Sequence, residues 1–266
     1  MLKPQVCVLR AAGTNCDQET AFAFQKADAC AELVHVNRLI AEKNALTAYH
    51  ILAIPGGFTY GDDVAAGKIL ANELKYKLID EIKKFIAAGK LIIGICNGFQ
   101  ILVKAGLLPG NAALDQEASL ILNDSAKFED RWVYLKVQSA KGAKAQKCVW
   151  VEDLPELIYL PVAHGEGKFV TQDKGVLRQL EQSGQIVFQY CDEKIRPAGY
   201  PYNPNGSEAD IAGICDATGR ILGLMPHPER HIQLWQHPRG AGRVNSKHGD
   251  GFQIFKNGVE YVKEHF

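Results

Sequence analysis

The residues best suited to covalent chemistry lie in the stretch Leu91-Ile92-Ile93-Gly94-Ile95-Cys96-Asn97-Gly98-Phe99-Gln100. A thiol set in Gly-x-Cys-x-Gly, after an apolar run and before a helical pattern from Phe99 to Ala105, has the layout of a nucleophile elbow. In that turn a strand passes sharply into a helix and the central residue is held in a strained, accessible conformation. Small residues two before and two after are required, because a Cβ there would meet neighbouring backbone. The positive end of the helix dipole would favour the Cys96 thiolate. Taken alone, the pattern fits equally well a buried structural cysteine between two packing glycines.

A nucleophilic cysteine needs a base, and the base needs a group that orients it. Of the eight histidines, His227 stands out: it follows an apolar strand directly and sits between Pro226 and Pro228, which pin the local backbone. Glu229, two residues on, falls on the same side of an extended segment, so its carboxylate can reach the imidazole. The same His-x-Glu could also be a surface turn, and only the fold can carry it to Cys96.

The elements that must do the positioning alternate along the first half of the chain. Gln5 to Arg10 reads as a strand, with Asn15 or Asp17 expected to cap a helix running to about Ala29. Glu32 to Asn37 and His50 to Ile54 read as further strands. A long helix is expected from Ala65 to Ala88, stopped by Gly89. This alternation predicts an α/β fold, a doubly wound and mostly parallel sheet flanked by helices. Its site should lie beyond the carboxyl ends of the strands, where the loops 11–16, 56–63 and the elbow share one edge. After Leu107 the texture changes to an antiparallel β elaboration, with strands expected at 118–122, 131–138, 148–151 and 186–190. A helix is expected near 174–183, a hairpin joins 211–215 to 221–225, and a final helix spans about 249–264. Residues 195–207, with three prolines, and 235–248 read as loops.

Composition bounds the function. Hydrophobic residues make up 47% and charged residues 23%, ordinary for a globular protein, and the formal net charge is zero. That balance gives no footprint for nucleic acid or an anionic membrane. The start of the chain has no apolar core of a secretory signal, and no apolar run reaches the length of a membrane span. Seven cysteines without a Cys-x-x-Cys pair argue against a disulfide framework or a zinc site and for a cytoplasmic location. No metal site is expected, and spacing suggests no third ligand beside His164 and Glu166.

The motifs Pro55-Gly56-Gly57, Gly94-Ile95-Cys96-Asn97-Gly98-Phe99-Gln100 and Pro226-His227-Pro228-Glu229 together resemble the class I, triad-type glutamine amidotransferases. Gly13-Thr14-Asn15-Cys16-Asp17, Gly56-Gly57-Phe58-Thr59-Tyr60-Gly61-Asp62, His164-Gly165-Glu166-Gly167 and Asn203-Pro204-Asn205-Gly206-Ser207 resemble one branch of them. That branch comprises the glutaminase subunits of phosphoribosylformylglycinamidine synthase, in purine biosynthesis. The resemblance implies one amidotransferase domain over residues 1–266, with insertions at 110–150 and 235–250. It implies that Cys96 attacks the glutamine carboxamide, that His227 moves the proton and that Glu229 holds the imidazole. The backbone amides of Gly57 and Asn97 would form the oxyanion hole, and Gln100, His164 and Gly165 would contact glutamine. No cofactor is implied in this chain, which has no G-x-x-x-x-G-K-[ST] pattern; ATP and Mg belong on a synthase partner, joined in some systems by a small bridging subunit. The partner contacts implied are Asn15 to Asp17, Tyr60 to Val64 and the 203–207 loop. Three other readings stay open: a glutaminase for another ammonia acceptor, a non-catalytic scaffold subunit, and a cysteine peptidase or deglycase of the related elbow-cysteine proteins.

Overall fold

The computed structural model describes residues 3–111, 113–138, 148–240 and 247–266. Its first strands, β1 (Gln5–Arg10), β2 (Cys30–His35), β3 (Ile51–Ile54) and β4 (Leu91–Ile95), pair in parallel in the order β2-β1-β3-β4. Their side chains explain the arrangement: β3 and β4 are buried along their whole length, as befits strands covered on both faces. Between β1 and β2 runs α1 (Asp17–Lys26), and β2 leads directly into the short α2 (Val36–Ala41). The crossover from β3 to β4 is α3 (Lys68–Glu73) and α4 (Ile79–Ala87), continuous through a π-helical segment at Leu74–Leu78. Gly89, at φ 78°, ends it as expected. Because β1 leads to β2 on one side and β3 to β4 on the other, right-handed crossovers place their helices on opposite faces.

After the elbow helix α5 (Asn97–Lys104), β5 (Ala118–Ile121) pairs with β8 (Lys168–Thr171) in a separate two-stranded sheet. The strands β6 (Glu129–Val137), β7 (Leu157–His164), β9 (Ile186–Cys191), β10 (Ile211–Cys215) and β11 (Ile221–Leu224) extend the main sheet in the order β4-β11-β10-β9-β6-β7. β11 is parallel to β4, and every pairing beyond it is antiparallel. The helices α6 (Lys174–Ser183) and α7 (Phe252–His265) complete the chain, α7 packing on α1 through an edge-on Phe24–Phe255 pair with ring centroids 5.0 Å apart. The antiparallel half curls far enough for the last strand to return to the first site: the N–H of His227 donates to the Pro161 carbonyl of β7 at 2.8 Å.

Some local expectations change. Cys16, and neither Asn15 nor Asp17, occupies the cap of α1, and its side chain makes no capping bond. Its carbonyl is instead held by both the N–H and the hydroxyl of Thr20, at 3.0 and 2.7 Å. β2 ends at His35, where α2 replaces the expected strand end, with the His35 ring accepting from Asn37 N–H. Residues 148–151 form no strand; Val149–Val151 is a 3₁₀ turn whose Trp150 is fully buried. Asn257 of α7 donates to the Trp150 and Glu152 carbonyls at 3.0 and 2.6 Å, so this apolar run is fixed by a helix rather than a sheet edge. Of the segments expected as insertions, residues 112, 139–147 and 241–246 lie outside the described residues.

Candidate active site

Cys96 follows β4 directly and has φ 51° and ψ −105°, a conformation that costs energy for any residue with a Cβ. The surroundings hold it there: its N–H donates to the Leu224 carbonyl at 2.8 Å, and the α5 residues Phe99 and Gln100 donate back to its own carbonyl. Gly98 shows why the motif needs glycine, since a Cβ there would fall 1.9 Å from the Ile54 carbonyl oxygen. The Cys96 Sγ lies 3.7 Å from the Ala163 carbonyl of β7.

Sheet register brings His227 to this thiol. β11 runs parallel to β4 with Leu224 opposite Ile95, so both strands deliver their next residues to the same edge. A Cβ on Gly56 would lie 2.8 Å from His227 Cε1 and 3.4 Å from Cys96 Cβ, which puts the ring and the cysteine against the same bare α-carbon. His227 Nδ1 is 2.6 Å from Glu229 Oε1, both side chains being buried. Burial alone would pull the imidazole pKa down, but the charge of Glu229, then that of Cys96, outweighs it and holds the pKa well above the usual value. The ring is therefore built to carry the proton. Its Nε2 has no hydrogen-bond partner of good geometry and neither has Glu229 Oε2.

A pocket opens over Cys96, lined among others by Gly57, Asp62, Gln100, His164, Gly165 and Glu166. Gly57 has φ 141°, open to glycine, and a Cβ would fall 2.7 Å from Asn15 N. The bridge to the 11–16 loop uses the N–H groups of Cys16 and Phe58, so the Gly57 N–H takes no part in it. Asn97 starts α5, where a first-turn N–H has no helical acceptor. Its side chain is fully buried: Oδ1 accepts from the Thr59 hydroxyl at 2.6 Å, while Nδ2 donates to Asp62 at 3.1 Å and to Gln100 Oε1 at 2.9 Å. Gln100 is buried too, not turned to solvent, and its Nε2 donates to the Glu166 carbonyl at 2.5 Å.

His164 has a defined tautomer. Asn123 Nδ2 donates to the Lys127 and His164 carbonyls, so its Oδ1 is an acceptor, filled by Gly167 N–H at 2.9 Å and by His164 Nδ1 at 3.2 Å. The proton of His164 therefore sits on Nδ1, and its buried Nε2 is an acceptor without a partner. Burial, with the neighbouring His227 charge, drives its pKa down to about 3. A neutral ring offering a lone pair repels a carboxylate and suits an N–H donor.

Spacing gave no sign of the polar net around these residues. Lys104 is buried, with Nζ 2.5 Å from the Ala66 carbonyl and 3.6 Å from Glu166, whose carboxylate accepts from Ala66 N–H. Burial lowers the Lys104 pKa and raises that of Asp62. The 203–207 loop braces the His164 segment from behind: Asn205 donates to the Gly167 carbonyl at 2.8 Å and the Ser207 hydroxyl accepts from Phe169 N–H at 2.9 Å. Asn203, Asn205 and Ser207 are buried, so their side chains face inward and not toward a partner.

An elbow thiol, a buried acid-held imidazole and a parallel sheet edge define a glutamine-amidotransferase class of molecule. The chain belongs to the CobB/CobQ-like glutamine amidotransferase domain family, whose model matches residues 3–262. It is 45% identical to the phosphoribosylformylglycinamidine synthase subunit PurQ of Dehalococcoides mccartyi, over 99% of this chain and 100% of that one. With the protein of the same name from Methanococcus maripaludis it shares 43% identity, over 98% of each. A chain in the structure of PurLQS from Thermotoga maritima superposes with a TM-score of 0.72 and 31% identity, covering 98% of this chain and 100% of that one.

Proposed function

We propose that this chain is the glutaminase subunit of a phosphoribosylformylglycinamidine synthase, releasing ammonia from glutamine for a separate synthase subunit. The observation that carries the reading is the meeting of the strained Cys96 with an imidazole whose far nitrogen is held by Glu229 at 2.6 Å. The full-length likeness to subunits of that name supports the acceptor.

In this reading Cys96 attacks the carboxamide carbon, with its proton already on His227. The oxyanion meets the N–H groups of Gly57 and Asn97, and one such preorganised donor is worth about 3–4 kcal/mol of barrier. Collapse expels ammonia, protonated by the imidazolium, and water then releases glutamate from the thioester. His164 Nε2 accepts an N–H of glutamine, and the α-carboxylate is left to backbone amides such as that of Gly165. Gln100 shapes the pocket by tying Asn97 to Glu166. The ATP-dependent activation of formylglycinamide ribonucleotide falls to the synthase subunit, with its Mg, and a small bridging subunit joins the assembly. A role in purine biosynthesis and seven free cysteines support a cytoplasmic location. Among the described residues no helix is long and apolar enough to cross a membrane.

The partner faces the pocket rim, where Phe58, Leu122 and Phe128 are exposed, with the exposed Val64 in the chain between the lining residues Asp62 and Ala66. The test is amidine formation by the assembled complex. Cys96→Ala should abolish the glutamine-dependent reaction and spare the one driven by added ammonia; loss of both would make Cys96 structural and defeat the reading. Addition of the synthase subunit should raise glutamine hydrolysis by the purified chain, and full activity without it would rule out gating by the partner.

A further inference from the structure

Cys16 stands at the site without a part in the triad. Its backbone is locked at both ends, the N–H donating to the Gly56 carbonyl at 3.2 Å and the carbonyl accepting from Thr20. Its side chain is buried, and the Sγ lies 3.1 Å from where a Cβ on Gly56 would stand, beside His227 Cε1 and Cys96 Cβ. Gly56 is thus the bare point on which two thiols and one imidazole converge. The Cys16 S–H donates to Asn15 Oδ1 at 3.2 Å, and its Sγ accepts from Arg230 Nη2 at 3.2 Å.

One donor atom each from Cys16, Glu19, His227 and Glu229 lies within 4.8 Å of the others, a set that could hold a soft cation. The Arg230 guanidinium already supplies that charge, bonded to Glu19 at 2.9 Å and to Cys16. The sulfur of Cys16 therefore stands between two cations, the Arg230 guanidinium and the protonated ring of His227. A neutral, polarisable thiol is suited to that place. Burial pushes its pKa up to about 11, so it neither competes with Cys96 as a nucleophile nor takes the imidazolium proton.

We propose that Cys16 is a positioning residue for His227: its sulfur packs beside the imidazole, keeps the Arg230 guanidinium off the ring and leaves Nε2–H directed to Cys96. The inference rests on His227 serving as the base of glutamine hydrolysis. With the sulfur removed, the imidazolium faces the guanidinium more directly, so the thiolate–imidazolium pair forms at higher pH.

The test uses the complex with its synthase subunit, carrying Cys16→Ala or Cys16→Ser. It measures kcat and KM for glutamine, ammonia-driven turnover, and the pH profile of Cys96 labelling by a glutamine-analogue diazoketone, read on the Cys96 peptide by mass. Cys16→Ala should lower kcat about tenfold with little change in KM, leave ammonia-driven turnover intact, and move the labelling profile to higher pH. Cys16→Ser, which keeps a small acceptor, should fall between. A labelling profile that overlays the wild type overturns the proposal, even where kcat falls, because a merely structural role would lower activity without moving the profile. Should Cys16→Ala fail to fold, Cys16→Ser decides by the same criterion. Retained glutamine turnover in Cys96→Ala would instead defeat the hydrolysis reading itself.

Discussion

The two histidines of the site are tuned in opposite directions, and pH should separate them. His164 is buried as a neutral ring with a pKa near 3, against about 6.5 in an unfolded chain. The unfolded chain binds the extra proton, so the stability His164 contributes is full above pH 6.5 and falls as pH drops toward 3. Between pH 6.5 and 5 that is a loss of roughly 2 kcal/mol, and urea unfolding of His164→Gln over this range should show a shallower decline. His227, raised well above its ordinary value by Glu229, contributes in the other sense: its share is present below the unfolded pKa and is lost as pH rises through the folded one. Glu229→Gln removes the charge that sustains it, and glutamine turnover should fall by about 10²–10⁴ with KM nearly unchanged. Cys96, His227 and Glu229 could be read from the sequence because each carries its signal locally, in flanking glycines or prolines. Lys104 and Asn123 could not: Lys104 meets Ala66 and Asn123 meets His164 only through folding, at separations of 38 and 41 residues.

Among the elements, β3, β4 and α5 meet at a close joint. Gly98→Ala would drive a Cβ into the Ile54 carbonyl at 1.9 Å, where backbone, not a flexible side chain, must give way. Thermal and urea unfolding should show a loss of at least about 2 kcal/mol, with Cys96 labelling slowed even in the folded fraction. The βα alternation and the elbow were legible because buried parallel strands and amphipathic helices differ in period and in their punctuating glycines. The short helix Val36–Ala41 was not, since its six residues carry too few turns to display a period. Val149–Val151 reads as strand by composition, yet Trp150 is claimed by α7, a contact over a hundred residues away. The curl that returns β7 to the site depends on the whole antiparallel half and has no local signature.

Taken as a whole, the molecule carries no formal net charge, and at the sheet edge its loops surround the pocket over Cys96. Net charge therefore supplies no long-range steering, and the exposed apolar side chains at the rim are the contact proposed above for the partner. Val64 is 89% exposed and holds φ 73°, a conformation that a β-branched residue adopts only under constraint. Tyr60 and Asp62 nearby also have positive φ, while Asp63 between Asp62 and Val64 returns to φ −55°, so three separate non-glycine residues of this turn sit in the left-handed region. Val64→Gly should stabilise the free chain by about 1 kcal/mol, seen as a higher urea midpoint. The same change should weaken capture by the synthase subunit, because an apolar side chain is lost from the contact. A left-handed backbone under an exposed, β-branched side chain is a standing cost to the isolated chain, and Val64 has little packing of its own to offset it.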